Sequence, residues 1–128
     1  MTADEEVAAA YALDRVGREA EAVVHYDAAY RMGGPSSDRG GFLLGYGSTL
    51  RNVGRLEDSL AVLTAATAEL PDDQALRCFL ALTLHSLGRH AEAMASMLDV
   101  ALALRAGSPS IPRYARALGE YRDELVAP

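Results

Sequence analysis

Lysine is absent from this 128-residue chain, so its 12 basic residues are all arginine, and 18 acidic residues leave a formal net charge of −6. We read the exclusive use of arginine as the codon habit of a GC-rich genome. Nucleic acids are held mainly by basic side chains that displace counterions from phosphates, and no such surface is concentrated here, so nucleic acid is excluded as a partner. Tryptophan is also missing, aromatics are 6% of the chain, and Cys78 is the only cysteine. A lone thiol makes no intrachain disulfide and no cysteine-based metal site. No run approaches the ~18 apolar residues of a membrane-spanning helix, which leaves out a membrane partner. The opening MTADEEVAAA is acidic and lacks the basic and apolar regions of a secretory leader, so a cytoplasmic setting is expected. Alanine is abundant, and half the residues are hydrophobic. That composition suits helices packed closely through small side chains. The length predicts one domain, 1–128, able to bury about two-thirds of its unfolded surface.

One phrase is written three times: LDRVGREAEA from Leu13, LRNVGRLEDS from Leu50 and LHSLGRHAEA from Leu84. Gly54 follows Gly17 by 37 residues and Gly88 follows Gly54 by 34, a period that signals a repeat architecture. Each glycine sits where a helix stops, because it enters the left-handed C′ conformation without a Cβ clash. The acids that follow (Glu19 and Glu21, Glu57 and Asp58, Glu92) fall in the first turn of the next helix and complement its positive end. Each phrase is therefore a helix–turn–helix corner.

The flanking segments carry helical periodicity. Thr2 to Glu5 reads as a capping box opening a helix that runs to about Val16. Further helices are predicted over about 18–32, 37–53, 55–70, 71–87 and 89–105, the fifth opened by Pro71-Asp72-Asp73. After Gly107-Ser108-Pro109 a seventh helix, about 110–126, aligns Ile111, Tyr114, Ala115, Leu118 and Leu125, with Arg113, Arg116, Glu120 and Asp123 opposite. Such an amphipathic helix suits the open end of a stack.

These residues resemble the tetratricopeptide repeat. Small residues stand where paired helices approach most closely, at Ala10, Gly47 and Ala81 and at Ala22, Ser59 and Ala93. Large packing residues stand at Leu13, Leu50 and Leu84 and at Tyr26, Leu63 and Met97, and Pro71 matches the proline that closes a repeat. The departures are Gly34 and Arg105 at the other closing positions, and Glu6, Leu43 and Arg77 where the family favours a large aromatic. Three extra residues within GGPSSD account for the longer first interval. The resemblance covers about 4–106, and more narrowly it is to small stand-alone bacterial tetratricopeptide proteins. It implies an all-α, right-handed α-α superhelix of three antiparallel helical hairpins plus a C-terminal capping helix. The repeats would span about 3–34, 37–70 and 71–106, with the capping helix at about 109–126.

No catalytic or cofactor motif accompanies this pattern. Cys78 and His85 share a helix face, but seven residues at about 1.5 Å each separate them by roughly 10 Å. His25, His85 and His90 form no metal pattern, and each reads as a solvated or hydrogen-bonded imidazole. The acid pairs Asp72-Asp73, Glu57-Asp58 and Asp123-Glu124 fall at helix starts or on a polar face. Gly33-Gly34 and Gly40-Gly41 lack a phosphate loop's context. A non-catalytic protein–protein interaction module, without cofactor or metal, is the expectation.

The resemblance implies a concave groove lined by the first helix of each pair. Its residues would include Val7, Tyr11, Asp14 and Arg15, then Leu44, Ser48, Arg51 and Asn52, then Cys78, Leu82 and His85. Tyr11, Leu44 and Leu82 would anchor a peptide or helix, and Arg51 and Asn52 would donate hydrogen bonds. Equally open are a Tyr11 packed on its neighbouring helix and an Arg51 that is merely solvated. The carboxylate clamp of some family members is not expected, because its positions hold Val7, Tyr11, Gly45, Ala75 and Phe79. The alternative function is a homodimer joined through the outer helices or through the first, with Val23, Val24, Tyr30 and the Gly33–Gly41 loop as the exposed candidates.

Overall fold

The computed structural model describes residues 1–128 as helices α1 (Ala3–Arg15), α2 (Glu19–Arg31), α3 (Arg39–Asn52), α4 (Leu56–Glu69), α5 (Gln74–Ser86), α6 (His90–Ala103) and α7 (Ile111–Val126), with a 3₁₀ turn at Arg105–Gly107. Gly17, Gly54 and Gly88 close α1, α3 and α5 in one way, at φ of 80°, 87° and 79°. In each corner the following arginine amide reaches back to a leucine carbonyl: Arg18 to Leu13 at 2.9 Å, Arg55 to Leu50 at 2.8 Å and Arg89 to Leu84 at 2.9 Å. This is the Schellman arrangement, which satisfies carbonyls the ending helix leaves without partners.

The arginine then pairs with an acid three residues on. Arg18 binds Glu21, Arg55 binds Asp58 at 2.8 Å and Arg89 binds Glu92 at 2.6 Å. The acids thus serve the corner as well as the helix dipole, although exposed pairs of this kind add little stability. Thr2 and Glu5 form the expected capping box, at 3.1 and 3.0 Å.

Two helix starts differ from the sequence reading. The third helix begins at Arg39 instead of Ser37, because Asp38 caps it in the left-handed region at φ 50° and accepts from the Gly41 amide at 3.1 Å. A Cβ on Gly41 would collide with that Asp38 carboxylate. The fifth begins at Gln74, since Asp73 is its cap and accepts from the Leu76 amide. Pro71 and Asp72 lie in the preceding turn.

The fold is an all-α, right-handed superhelix of three antiparallel hairpins, α1–α2, α3–α4 and α5–α6, followed by α7. Its small crossing residues are buried as the spacing requires: Ala10, Ala22, Gly47, Ser59, Ala81 and Ala93. The main core runs through the first two hairpins into α5, around Tyr26, Phe42, Leu43, Leu50, Leu63 and Leu76. The loop after α2 is clasped to α1, where Asp4 accepts from the Ser36 amide at 2.8 Å and its hydroxyl at 2.7 Å.

A buried hydroxyl pair ties the second hairpin to the third. Ser59 Oγ donates to the Gly47 carbonyl at 2.7 Å, so Thr83 Oγ1, 2.8 Å away, donates to Ser59. Thr83→Val removes only that terminal donor, and we expect a loss of about 0.5–1.5 kcal/mol. Ser59→Ala strands the Thr83 hydroxyl in the core and should cost more, about 1–3 kcal/mol. Urea unfolding of both variants checks the order, and a larger loss for Thr83→Val would reverse the assigned direction of the chain of bonds.

The capping helix packs along α6, where Arg122 grips Asp99 through two bonds of 2.9 and 3.1 Å. Between α7 and the third hairpin lies a hollow of about 300 Å³ that Thr67 of α4 also borders. Arg113, Arg116, Glu120 and Asp123 face solvent as expected, but Tyr114 does too, with the Arg113 guanidinium 5.5 Å from its ring centroid.

Candidate partner-binding surface

On α1 the expected groove residues divide by burial. Val7 is 7% exposed and belongs to the core, so it has almost no surface left for a partner. Tyr11 is half-buried, its ring 6.0 Å from that of Tyr26, which fits the packed reading of this residue. Asp14 accepts from the Tyr26 hydroxyl at 2.9 Å and from Thr49 Oγ1 at 3.4 Å. Arg15 is exposed and borders a shallow hollow of about 370 Å³ with Tyr11, Asp14 and Tyr26.

Leu44, Ser48 and Arg51 stand one helical turn apart on α3 and are half-buried. Arg51 makes no hydrogen bond or ion pair in the chain, and its Nε is shielded from solvent without a partner. The other arginine of that helix, Arg39, is held by Glu69 and by the Gly33 carbonyl at 2.9 Å. Asn52 is exposed and leans to Glu19 at 3.4 Å.

Cys78, Leu82 and His85 come together on α5, facing a hollow of about 520 Å³ completed by His90, Met94 and Met97 of α6. The two imidazoles pair through their Nδ1 atoms at 2.8 Å, so one is donor and the other acceptor. His85 is therefore engaged by His90 across the corner and not by Cys78. His25 is hydrogen-bonded, its Nδ1 meeting Glu6 at 2.6 Å. No three His, Cys, Asp or Glu side chains gather as a metal site would require.

Sequence reasoning missed an aromatic cluster between the first two hairpins. Tyr26 lies 6.0 Å from Phe42 and 5.7 Å from Tyr46, and Tyr30 lies 5.2 Å from Tyr46. Burial, then the hydrogen bond to Asp14, pushes the Tyr26 phenol well above its ordinary pKa; burial and the bond to Asp27 do the same for Tyr46. Burial pushes the Asp27 carboxyl up, but bonds from Arg55, at 2.8 Å, and from Tyr46 outweigh it and hold it below the usual range. These carboxylates, Asp14 and Asp27, are structural partners of tyrosines.

The model for the tetratrico peptide repeat family matches residues 4–125, nearly the whole chain. The chain belongs to the tetratricopeptide repeat family. No curated protein and no solved structure matches it. Tetratricopeptide repeats are protein–protein interaction modules and typically non-catalytic scaffolds. In this tetratricopeptide protein no helix is long and apolar enough to cross a membrane.

Proposed function

We propose that residues 1–128 work as one scaffold or adaptor unit in the cytoplasm, holding a peptide or helix of another protein against the first helices of its hairpins. The observation that carries this reading is Arg51: a part-buried guanidinium with no internal partner, in a chain of net charge −6, beside the apolar Leu44. The accessible part of that guanidinium also makes no bond within the chain, and a carboxylate or carbonyl of a bound segment would pair with it. Ser48 and exposed Asn52 and Arg15 supply further polar contacts, and half-buried Tyr11 an apolar edge.

Arg51→Glu should weaken binding of the physiological partner by at least about tenfold, or about 1.4 kcal/mol, and leave the fold intact because no internal bond is lost. Tyr11→Ala also weakens binding but disturbs the Tyr26 ring beneath it, so Arg51 is the cleaner probe. Affinity capture from native lysate, wild type against Arg51→Glu, supplies the partner, and unchanged affinity for it would remove the groove assignment. A homodimer is the second reading, favoured by Val24 and Met32, both exposed on or beside α2. Val23, in contrast, is buried and drops from that interface. A monomer in light scattering at micromolar concentration eliminates the dimer.

A further inference from the structure

The intervals of 37 and 34 residues place Val23, Leu60 and Met94 at one repeat position, and Tyr26, Leu63 and Met97 at another. In the first two hairpins these positions are covered by the first helix of the next. Tyr26 lies under Phe42 and Tyr46 of α3. Leu63 is in the core with Leu76 of α5, Leu60 and Leu80 pack on one cluster, and Ser59 bonds Thr83. The covering residues themselves repeat: Phe42, Tyr46 and Thr49 on α3 correspond to Leu76, Leu80 and Thr83 on α5. In the third hairpin nothing takes that place. Tyr26 is 1% exposed and Leu63 0%, but Met97 is 43%, Met94 56% and Leu82 42%.

The capping helix does not fill this position, because its Arg122 holds it to Asp99, and Asp99 lies half a helical turn from Met97 on α6. We propose that the hollow between α5 and α6 receives an amphipathic helix of another protein, seated as a fourth first-of-pair helix would be. The surface is continuous with two interfaces already built in this chain, and they define the occupant: a large apolar residue, a second four positions on, and a threonine-sized residue three further. The walls suit such a stripe, being two methionines, a leucine and a half-buried cysteine, and methionine adapts to varied shapes. The only polar groups are the His85–His90 pair at one end. A second copy of this chain is a poor occupant, since the matching positions of α1 are Glu5, Ala9 and Ala12. Two alanines and a capping-box carboxylate cannot fill the hollow. The proposal rests on the stack's repetition and is independent of Arg51.

The test uses the full chain labelled at methionine methyls and a synthetic peptide with its own α5 sequence, residues 73–88. The peptide should shift the Met94 and Met97 methyl resonances, and Met97→Glu should weaken the effect about tenfold or more by placing a charge in an apolar site. Arg51→Glu should leave it unchanged, which separates this surface from the groove. A peptide with Leu76→Asp and Leu80→Asp should not bind. No methyl shift at millimolar peptide, or equal binding by the Met97→Glu chain or by the doubly substituted peptide, overturns the proposal. So does a wild-type dimer that Met97→Glu converts to monomer, because the occupant is then a second copy.

Discussion

Tyr26→Ala is expected to lower the unfolding free energy by about 3–5 kcal/mol, the range for deleting a fully buried aromatic. Tyr26 is 1% exposed and lies within ring contact of Tyr11, Phe42 and Tyr46, so truncation opens a void between the first and second hairpins. Those neighbours sit on different helices and cannot collapse together without shifting α1 against α3. The hydroxyl adds a smaller share. Tyr26→Phe keeps every ring contact and loses only the 2.9 Å bond to Asp14, and because Asp14 is half-buried it finds water in exchange. That variant should lose about 0.5–1.5 kcal/mol. With total stabilities of about 5–15 kcal/mol for proteins of this kind, the alanine variant forfeits a large fraction of the whole. Urea unfolding of the pair is the measurement. A Tyr26→Phe loss as large as that of Tyr26→Ala would show that the hydrogen bond, and not the packing, holds the hairpins together.

The same tyrosine shows what was legible in the sequence. Its repeat register, shared with Leu63 and Met97, marked a packing position, and the fold bears that out at Tyr26 and Leu63. At Met97 the register was right and the burial was not, because burial there depends on a covering first-of-pair helix, and α7 packs on the Asp99 side of α6 instead. The corners were readable because a glycine at positive φ, the arginine after it and the leucine to which that arginine's amide reaches back lie only a few residues apart. The starts of α3 and α5 shifted by two or three residues because aspartate side chains, Asp38 and Asp73, take the capping role, and helical periodicity does not register a cap. The site was less visible still. His25 with Glu6, Tyr46 with Asp27 and Arg122 with Asp99 are partners 19 to 23 residues apart, joined by packing angles that no local pattern encodes. Arg51 stood out as a donor from its type and position, but its lack of an internal partner is a property of the packed structure alone.

Gly47→Val is expected to destabilise by about 2–4 kcal/mol, against a simple helix-propensity argument. Removing a glycine from a helix interior normally recovers something under about 1 kcal/mol, less for a β-branched residue. Here a Cβ at position 47 would stand 2.5 Å from both Cγ and Cδ2 of Leu63 and 2.9 Å from its Cδ1. Leu63 is fully buried, so it has no open side to retreat into, and overpacking of this kind costs about 1–3 kcal/mol. Moving α3 away from α4 to make room would also pull the Gly47 carbonyl from Ser59 Oγ, now at 2.7 Å, and with it the link to Thr83, adding about 0.5–1.5 kcal/mol. Gly54→Val, at φ 87° with nothing within 4 Å of its Cβ, is the contrast: it carries backbone strain alone, about 1–3 kcal/mol. Alanine occupies the matching positions of the other hairpins, Ala10 and Ala81, where the residues matching Leu63 are the flat Tyr26 and the exposed, unbranched Met97. The clash therefore belongs to the branched Leu63 and not to the repeat position. Combining Gly47→Val with Leu63→Ala should consequently lose less than the sum of the two single losses, by more than about 1 kcal/mol in a urea-unfolding cycle. Additive losses would mean that α3 and α4 are not pressed together at this crossing.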